Sequence, residues 1–547
     1  MQTWINSAVG TRIWIILAVL LAAFVAVPLI AVSASWSSGG ESIQHLIDTI
    51  LPVYALNTTV LMVLTGLIAT LIGVGAAWLV ASCDFWGRKV WSWLLVAPIA
   101  APAYIIAYVY TDFLEFSGPL QTWLRASFGW SAGDYWFPEI RSLPGAALML
   151  GLVLYPYVYL MARASFSAQS RSQLLAARTL GASPATAFFR IALPSARPAI
   201  AGGLALVLME TLADFGVADY FAIPTFSTGI FRTWLALGDR QTAMQFASIM
   251  LIFVIILVVA EAASRRGQVA SNDRMGDWPP PYKFGQSATI WANILCALPV
   301  LLGFILPVGL LLLSAIEVGD QQPIAELFDY SWNSFSVAFA CALLAACIGL
   351  LLVYANRQSG ADRATGYGIR LATLGYALPG ALLAIGLLGP LGFIDQAITR
   401  FARDMMGWQG GLLLSGSIVV LAYALIVRFL TVAFNSLSGG MAKISANMDA
   451  AARTLGAGPW TVVRKIHIPL LAPQIAVGLS LVFIDVIREL PATLILRPSN
   501  FETLATRVYR LASDERLAEA STASLVIVIM GMLSVYLINR AGNLDNV

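Results

Sequence analysis

Charge is the scarcest property of this sequence. Asp, Glu, Lys and Arg together make up 11% of its 547 residues, while hydrophobic residues make up 59%. A typical soluble chain carries roughly 25% charged residues, so too little polar surface is present to clothe a water-soluble globule of this size. A soluble enzyme, a disordered protein and a secreted disulfide scaffold are therefore excluded. Cysteine is nearly absent: Cys83, Cys296, Cys341 and Cys347 form no CxxC pair and imply neither a disulfide frame nor a metal site. The only histidines are His45 and His467, both expected at the surface rather than as ligands. Lysine occurs four times, at Lys89, Lys283, Lys443 and Lys465, and none follows a glycine-rich turn. Without a G-x-x-x-x-G-K-[ST] loop the chain has nothing to cradle nucleotide phosphates and is not expected to hydrolyse ATP. A net charge of +3 with no basic tail or stripe argues against nucleic-acid binding.

What the sequence has in abundance is apolar runs of about 20 residues, the length that crosses a bilayer as a helix. Twelve are predicted, near 12–35, 57–82, 91–113, 143–166, 199–219, 242–263, 289–316, 333–355, 369–391, 411–434, 474–492 and 521–540. The first exceeds the apolar core of a secretory signal, roughly 7–15 residues, and is expected to be a retained span. Placing both termini in the cytoplasm puts most of the 32 basic residues on that side, Arg357, Arg428 and Arg464 among them, and most of the 29 acids opposite. The fold class is thus an all-α polytopic membrane protein of about twelve spans.

A duplication organises these spans. Ala-Ala-Arg-Thr-Leu-Gly-Ala occurs at 176–182 and again at 451–457, and residues 176–204 share 16 of 29 positions with 451–479 without a gap. The shared positions include Gly181/Gly456, Pro184/Pro459, Pro194/Pro469 and Pro198/Pro473. Two homologous six-helix halves follow, 1–263 and 289–547, joined by a polar, Pro-rich cytoplasmic linker at 264–288. Six spans is an even number, so both halves keep the same sense across the membrane, as in parallel repeats whose solute passes between them.

Each copy of the repeated segment, 175–198 and 450–473, is predicted to be an elbow on the cytoplasmic face between the fourth and fifth spans of its half. In the first, Ser183 is expected to cap a short helix over Pro184–Ile191, with Pro194 and Pro198 breaking the chain before the next span. Phe188 and Phe189, and in the second copy Trp460, Val462 and Val463, form an apolar set suited to the groove of a partner protein. The spans that follow carry charge. Glu210 and Asp214 lie i, i+4 on one helical face, and Asp485 and Glu489 repeat that spacing 275 residues later, with Arg488 at i+3 from Asp485. Charge inside a span is costly and faces a bundle interior or a water-filled path. Two readings follow: four carboxylates lining a shared translocation path, or a structural pairing of Asp485 and Glu489 with Arg488. Oxygen ligands suit hard cations. Asp219, Tyr104, Tyr108 and Tyr110 are further candidates for that path.

The elbows resemble the cytoplasmic EAA loop of ABC importer permeases. The stretches Leu175-Ala176-Ala177, Gly181 and Ile191-Ala192-Leu193-Pro194 match its spacing, as do Ala450-Ala451-Ala452, Gly456 and Ile466-His467-Ile468-Pro469. The acidic residue of the motif is missing from both copies, although Asp449 stands one position ahead of the second. The fused length, and the segment Ile487–Pro498, look most like permeases of bacterial ferric-iron importers. That resemblance implies a type I importer permease of the bacterial inner membrane, coupled to its ATPase through Ala176, Ala177, Gly181, Phe188, Phe189 and Pro194 and through Ala451, Ala452, Gly456, Val462, Val463 and Pro469. It implies two copies of a separate nucleotide-binding subunit that use the ATP, a periplasmic solute-binding protein, surrounding lipid, and no cofactor on this chain. Ferric iron is the expected cargo; thiamine or another small solute is the alternative. An ion-coupled secondary transporter of two six-helix halves would survive without nucleotide but leaves the doubled elbow unexplained. A membrane-embedded enzyme would need a clustered nucleophile or metal set.

Overall fold

In a computed structural model of the chain, the described residues are 2–35, 46–168, 179, 181, 183–264, 282–318, 323–358, 362–406 and 414–544. Among them eleven helices are long and apolar enough to cross a membrane, and a bent pair supplies a twelfth crossing. The first half holds α1 (Trp14–Ala34), α2 (Asp48–Ser82), the pair α3 (Arg88–Ala100) and α4 (Ala103–Phe128), α5 (Leu143–Ala168), α6 (Ala185–Ala213) and α7 (Arg240–Ser264). The second holds α8 (Gln286–Glu317), α9 (Ile324–Gln358), α10 (Gly380–Met405), α11 (Ile418–Lys443), α12 (Trp460–Ile487) and α13 (Leu517–Arg540). Every predicted run overlaps one of these crossings.

Four crossings break where hydropathy alone reads a continuous run. The α3–α4 pair turns through 87° around Ala101 and Pro102, where proline offers no N–H to continue a helix. The matching run 369–391 is likewise split, into a helix Arg363–Ala372, a single turn Gly375–Ala377, and α10 beginning after Pro379. Predicted runs 199–219 and 474–492 end early, at Ala213 and Ile487, and resume as the short helices Gly216–Tyr220 and Pro491–Leu496. Each break frees backbone donors and acceptors inside the bundle, and such backbone is tolerated at membrane depth only where protein or an aqueous cavity satisfies it.

The repeat is visible in hydrogen bonds as well as in sequence. Asn57 Nδ2 donates to the Pro224 carbonyl and Asn333 Nδ2 to that of Glu502. Thr58 Oγ1 accepts from the Phe226 N–H, and Ser334 Oγ from that of Leu504. Thr225 and Thr503 each cap the short helix that follows through a reciprocal bond with Thr228 and Thr506. The leading helix of each half packs on the other half. From α1, Phe24 stacks on Tyr423 at 3.8 Å and its carbonyl accepts from the Tyr423 hydroxyl. From α8, the Leu302 carbonyl accepts from Tyr110, and Asn293 accepts from Trp91. Of the predicted linker, residues 265–281 lie outside the described residues. Its distal end forms β2 (Tyr282–Lys283), parallel to β1 (Cys83–Asp84) just beyond α2. Helix α8 therefore starts at the end of the bundle where α2 stops, and α9 returns to that end. Both elbows consequently lie on one face of the bundle.

Candidate functional site

Two regions carry the predicted functional residues: the elbows and a mid-bundle cavity. In the first elbow, Ala176 and Ala177 lie outside the described residues. Gly181 is exposed with φ +83°, in the left-handed region that glycine occupies without strain. Ser183 Oγ accepts from the Thr186 N–H at 3.2 Å, capping Pro184–Ala187 as expected. In the second elbow the helix Ala446–Thr454 ends in a Schellman turn. The Ala457 N–H donates to the Ala452 carbonyl and the Gly456 N–H to that of Arg453, both at 3.0 Å, with Gly456 at φ +80°. Ala451 is exposed and Ala452 buried.

The prolines do not break the chain before the fifth span of either half, contrary to the sequence reading. Each elbow helix widens into a π-turn, Phe188–Ala192 or Val463–His467, and runs straight into its span. Pro194 and Pro469 then sit second in the span segments Leu193–Ala213 and Ile468–Ile487, directly after the π-turn, whose shifted hydrogen-bond register accommodates the missing N–H. The apolar set is also divided differently. Phe189 is 65% exposed, but Phe188 is half-buried against Trp78 and Phe166. Val462 and Val463 are buried, and the exposed apolar residues of the second elbow are Leu455, Trp460 and Leu470. A helix lying on the bundle turns one side inward, and that side is Val462–Val463.

His467 is the largest departure from expectation. It is fully buried, with Nε2 2.9 Å from Asp449 Oδ1. Arg357 Nε donates to the other oxygen of Asp449 at 2.6 Å, and its guanidinium reaches the carbonyls of Met441, Ile444 and Ser445. Burial pushes the Asp449 carboxyl up, but the hydrogen bonds from His467 and Arg357 outweigh it and hold the group below its ordinary value. His45 lies outside the described residues.

The second region is a cavity of about 90 Å³ between the halves. All four predicted carboxylates line it, with Arg428, Arg488 and Tyr104. They are not equivalent. Asp214 accepts from the Ala218 N–H at 3.1 Å, in the first turn of Gly216–Tyr220. Glu489 accepts from the N–H groups of Ala492 and Thr493 and from the Thr493 hydroxyl, fastening the start of Pro491–Leu496. These two acids hold the broken helices. Asp485 accepts from Arg488 at 2.5 Å, and Arg488 also donates to the Tyr157 hydroxyl and the Ile99 carbonyl. Glu210 is the least committed, its nearest charge being Arg428 at 3.8 Å. Among the described residues no three His, Cys, Asp or Glu converge closely enough to hold an ion.

Arg428 was assigned by sequence to the cytoplasmic edge. It lies inside α11, buried, and donates to Glu489 at 2.9 Å. Its position within the apolar run Leu421–Phe434 was the available signal. Gly380, at the start of α10, admits this pair: a Cβ there would stand 2.2 Å from Glu489 Oε1. Tyr110, by contrast, spends its hydroxyl on the Leu302 carbonyl. Asp219 accepts from the Tyr509 hydroxyl at 2.8 Å.

A family profile described as a binding-protein-dependent transport system inner membrane component matches the chain twice, over residues 69–275 and 367–543. The chain is 24% identical to the Fe(3+)-transport system permease protein FbpB 2 of Haemophilus influenzae, over 88% of this chain and 89% of that one. It is 20% identical to the ferric transport system permease protein FbpB of Actinobacillus pleuropneumoniae, over 95% of this chain and 76% of the relative. The molybdenum transport system permease protein ModB of Haemophilus influenzae is 27% identical over 39% of this chain and 94% of its own length.

Proposed function

The chain belongs to the family of binding-protein-dependent transport system inner membrane components, and from that premise we propose that it is the path by which ferric iron, bare or in a small chelate, crosses the inner membrane. The observation that carries the cargo is the placement of Glu210 and Asp485, repeat-equivalent acids on facing halves of one cavity. Asp214 and Glu489 keep the broken helices in place, while Glu210 and Asp485 exchange their arginine partners for the passing cation. The ferric relatives that span nearly the whole chain support the same cargo. Both termini lie in the cytoplasm in this reading. Two copies of an ATPase subunit sit under the elbows and use the ATP, a periplasmic binding protein delivers the solute, and this chain holds no cofactor. On the elbows, Phe189 and Trp460 touch the ATPase, while Phe188, Val462 and Val463 position them. Gly181 and Gly456 set the turn, and Pro194 and Pro469 the angle into the span.

Arginines 428 and 488 favour a second cargo, an oxyanion, as the molybdenum relative would suggest. Their pairing with Glu489 and Asp485 leaves little positive charge to offer one. The test is uptake of ⁵⁵Fe(III) into proteoliposomes holding the complete importer. Glu210→Gln and Asp485→Asn are each expected to lower it at least about tenfold, the loss of one charged contact. Wild-type uptake in both variants, or competition of molybdate against ⁵⁵Fe(III), overturns the ferric path.

A further inference from the structure

A second cavity, of about 270 Å³, lies farther from the elbows, between α4, α8 and α13. Its polar lining is Tyr108, Asp112, Ser314, Glu317, Ser521 and Ser524. Helix α4 runs from the central cavity toward this one. Tyr104 lines the first and Tyr108, one turn farther along, lines the second. The two rings stand 5.7 Å apart, and Tyr108 meets Tyr220 edge-on at 4.4 Å. Gly216 lets Tyr104 lie flush against the broken helix: a Cβ there would stand 2.6 Å from the Tyr104 Cβ.

The hydroxyls of Tyr104, Tyr108 and Tyr220 are buried and have no hydrogen-bond partner among the described residues. Tyr104 and Tyr108 are 5% and 3% exposed, so neither can turn its hydroxyl to bulk water. A buried hydroxyl left unpaired is costly and is ordinarily satisfied. Phenylalanine would fill the same space at no such cost. Two unpaired hydroxyls on the wall between two cavities that each hold carboxylates belong to a wall that something polar crosses.

We propose that Tyr104 and Tyr108 form a tyrosine partition between an outer acidic station, at Asp112 and Glu317, and the central carboxylate cavity, and that their hydroxyls supply neutral oxygen contacts to a hydrated hard cation passing from one to the other. This rests on the ferric reading for the cargo but not for the route. Solute enters at the outer station, is handed across the two hydroxyls, and reaches Glu210 and Asp485.

The test uses the complete importer in proteoliposomes, with ⁵⁵Fe(III) as the probe and a thermal melt of each variant as the control for folding. Tyr104→Phe and Tyr108→Phe each keep the ring and remove one oxygen contact to the passing hydrated cation, so each is expected to lower uptake per ATP hydrolysed about fivefold. Tyr155→Phe provides the comparison: its hydroxyl is also buried and unpaired, but it lines neither cavity, and uptake should be unchanged. Wild-type uptake in the double variant, or an equal fall in Tyr155→Phe, overturns the partition. If the wild type carries no ⁵⁵Fe(III), the ferric reading fails and the route is still read by labelling Ala103→Cys with a membrane-impermeant thiosulfonate from the outer side. The double Tyr→Phe background should then label about fivefold more slowly, and an unchanged rate overturns the partition.

Discussion

The two elbows share their turn-forming glycine and their prolines, yet they are fastened to the bundle by different chemistry. The first is held by rings: Phe188 packs on Trp78 and Phe166, and Trp78 in turn on Tyr282 at the end of the linker. The second is held by charge: Arg357, Asp449 and His467 converge below α9. At the equivalent positions the first half has Ala81, Leu174 and Ala192, and opposite Phe188 the second has Val463. Backbone requirements have been kept across the duplication while the bracing has diverged. Ring packing has preferred geometries of its own, but a displaced ring strands no charge. A carboxylate shared between an arginine and a buried imidazole works in one geometry and is costly in any other. The first elbow is thus expected to yield more readily against α2 and the linker, and the second to stay with α9.

Removing the centre of each brace separates these behaviours. Asp449→Ala leaves the buried His467 and the half-buried Arg357 without their shared partner, and is expected to cost about 3 kcal/mol, read as a fall in the denaturation midpoint of the detergent-solubilised chain. Phe188→Ala should cost less, about 2 kcal/mol, because a half-buried ring loses less than a fully buried one. If Asp449→Ala is the milder of the two, the triad does not brace the elbow and the contrast disappears.

Acid should distinguish the elbows without any mutation. Asp449 is held below its ordinary carboxylate value, so its contribution is fully present above the unfolded value, about pH 4. It is lost as pH falls through the lower folded value. Amide protection over 446–467, corrected for the intrinsic exchange rate at each pH, is therefore expected to fall on acidification below about pH 4. Protection over 183–192, braced by rings, should not follow it. A parallel fall in both segments would place the acid-sensitive group elsewhere.

How far these features were legible in the sequence depends on what each one rests on. Span number, the repeat and the positions of Glu210, Asp214, Asp485 and Glu489 follow from hydropathy and spacing, which are local. The breaks after Ala213 and Ile487 were missed although Asp214-Phe215-Gly216 and Arg488-Glu489-Leu490-Pro491 mark them, because hydropathy averaged over a span absorbs so short an interruption. The pairing of Arg428 with Glu489 spans 61 positions, and no periodicity reports a contact of that separation. His467 misled for a related reason. An imidazole in a polar loop reads as exposed until its partner is known, and Asp449 is 18 residues away. The prolines misled because a π-turn absorbs them, and nothing in composition marks one.

The smallest effect on folding bears most directly on what the elbows are for. Phe189 and Trp460 are 65% and 72% exposed, so replacing either with Ser removes little packing and should change stability by no more than about 0.5 kcal/mol. If these side chains are contact points for an ATPase, the same changes should weaken copurification of that subunit and lower ATP-driven uptake, with the melting curve unmoved. Because the first elbow rests on rings and yields more readily, Phe189→Ser is expected to be the milder, its helix re-seating on the partner. Trp460→Ser has no such recourse, since the triad fixes its helix to α9. An equal loss in both variants would mean that the divergent bracing has no bearing on docking. A fall in melting temperature in either would return that side chain to the bundle's own packing.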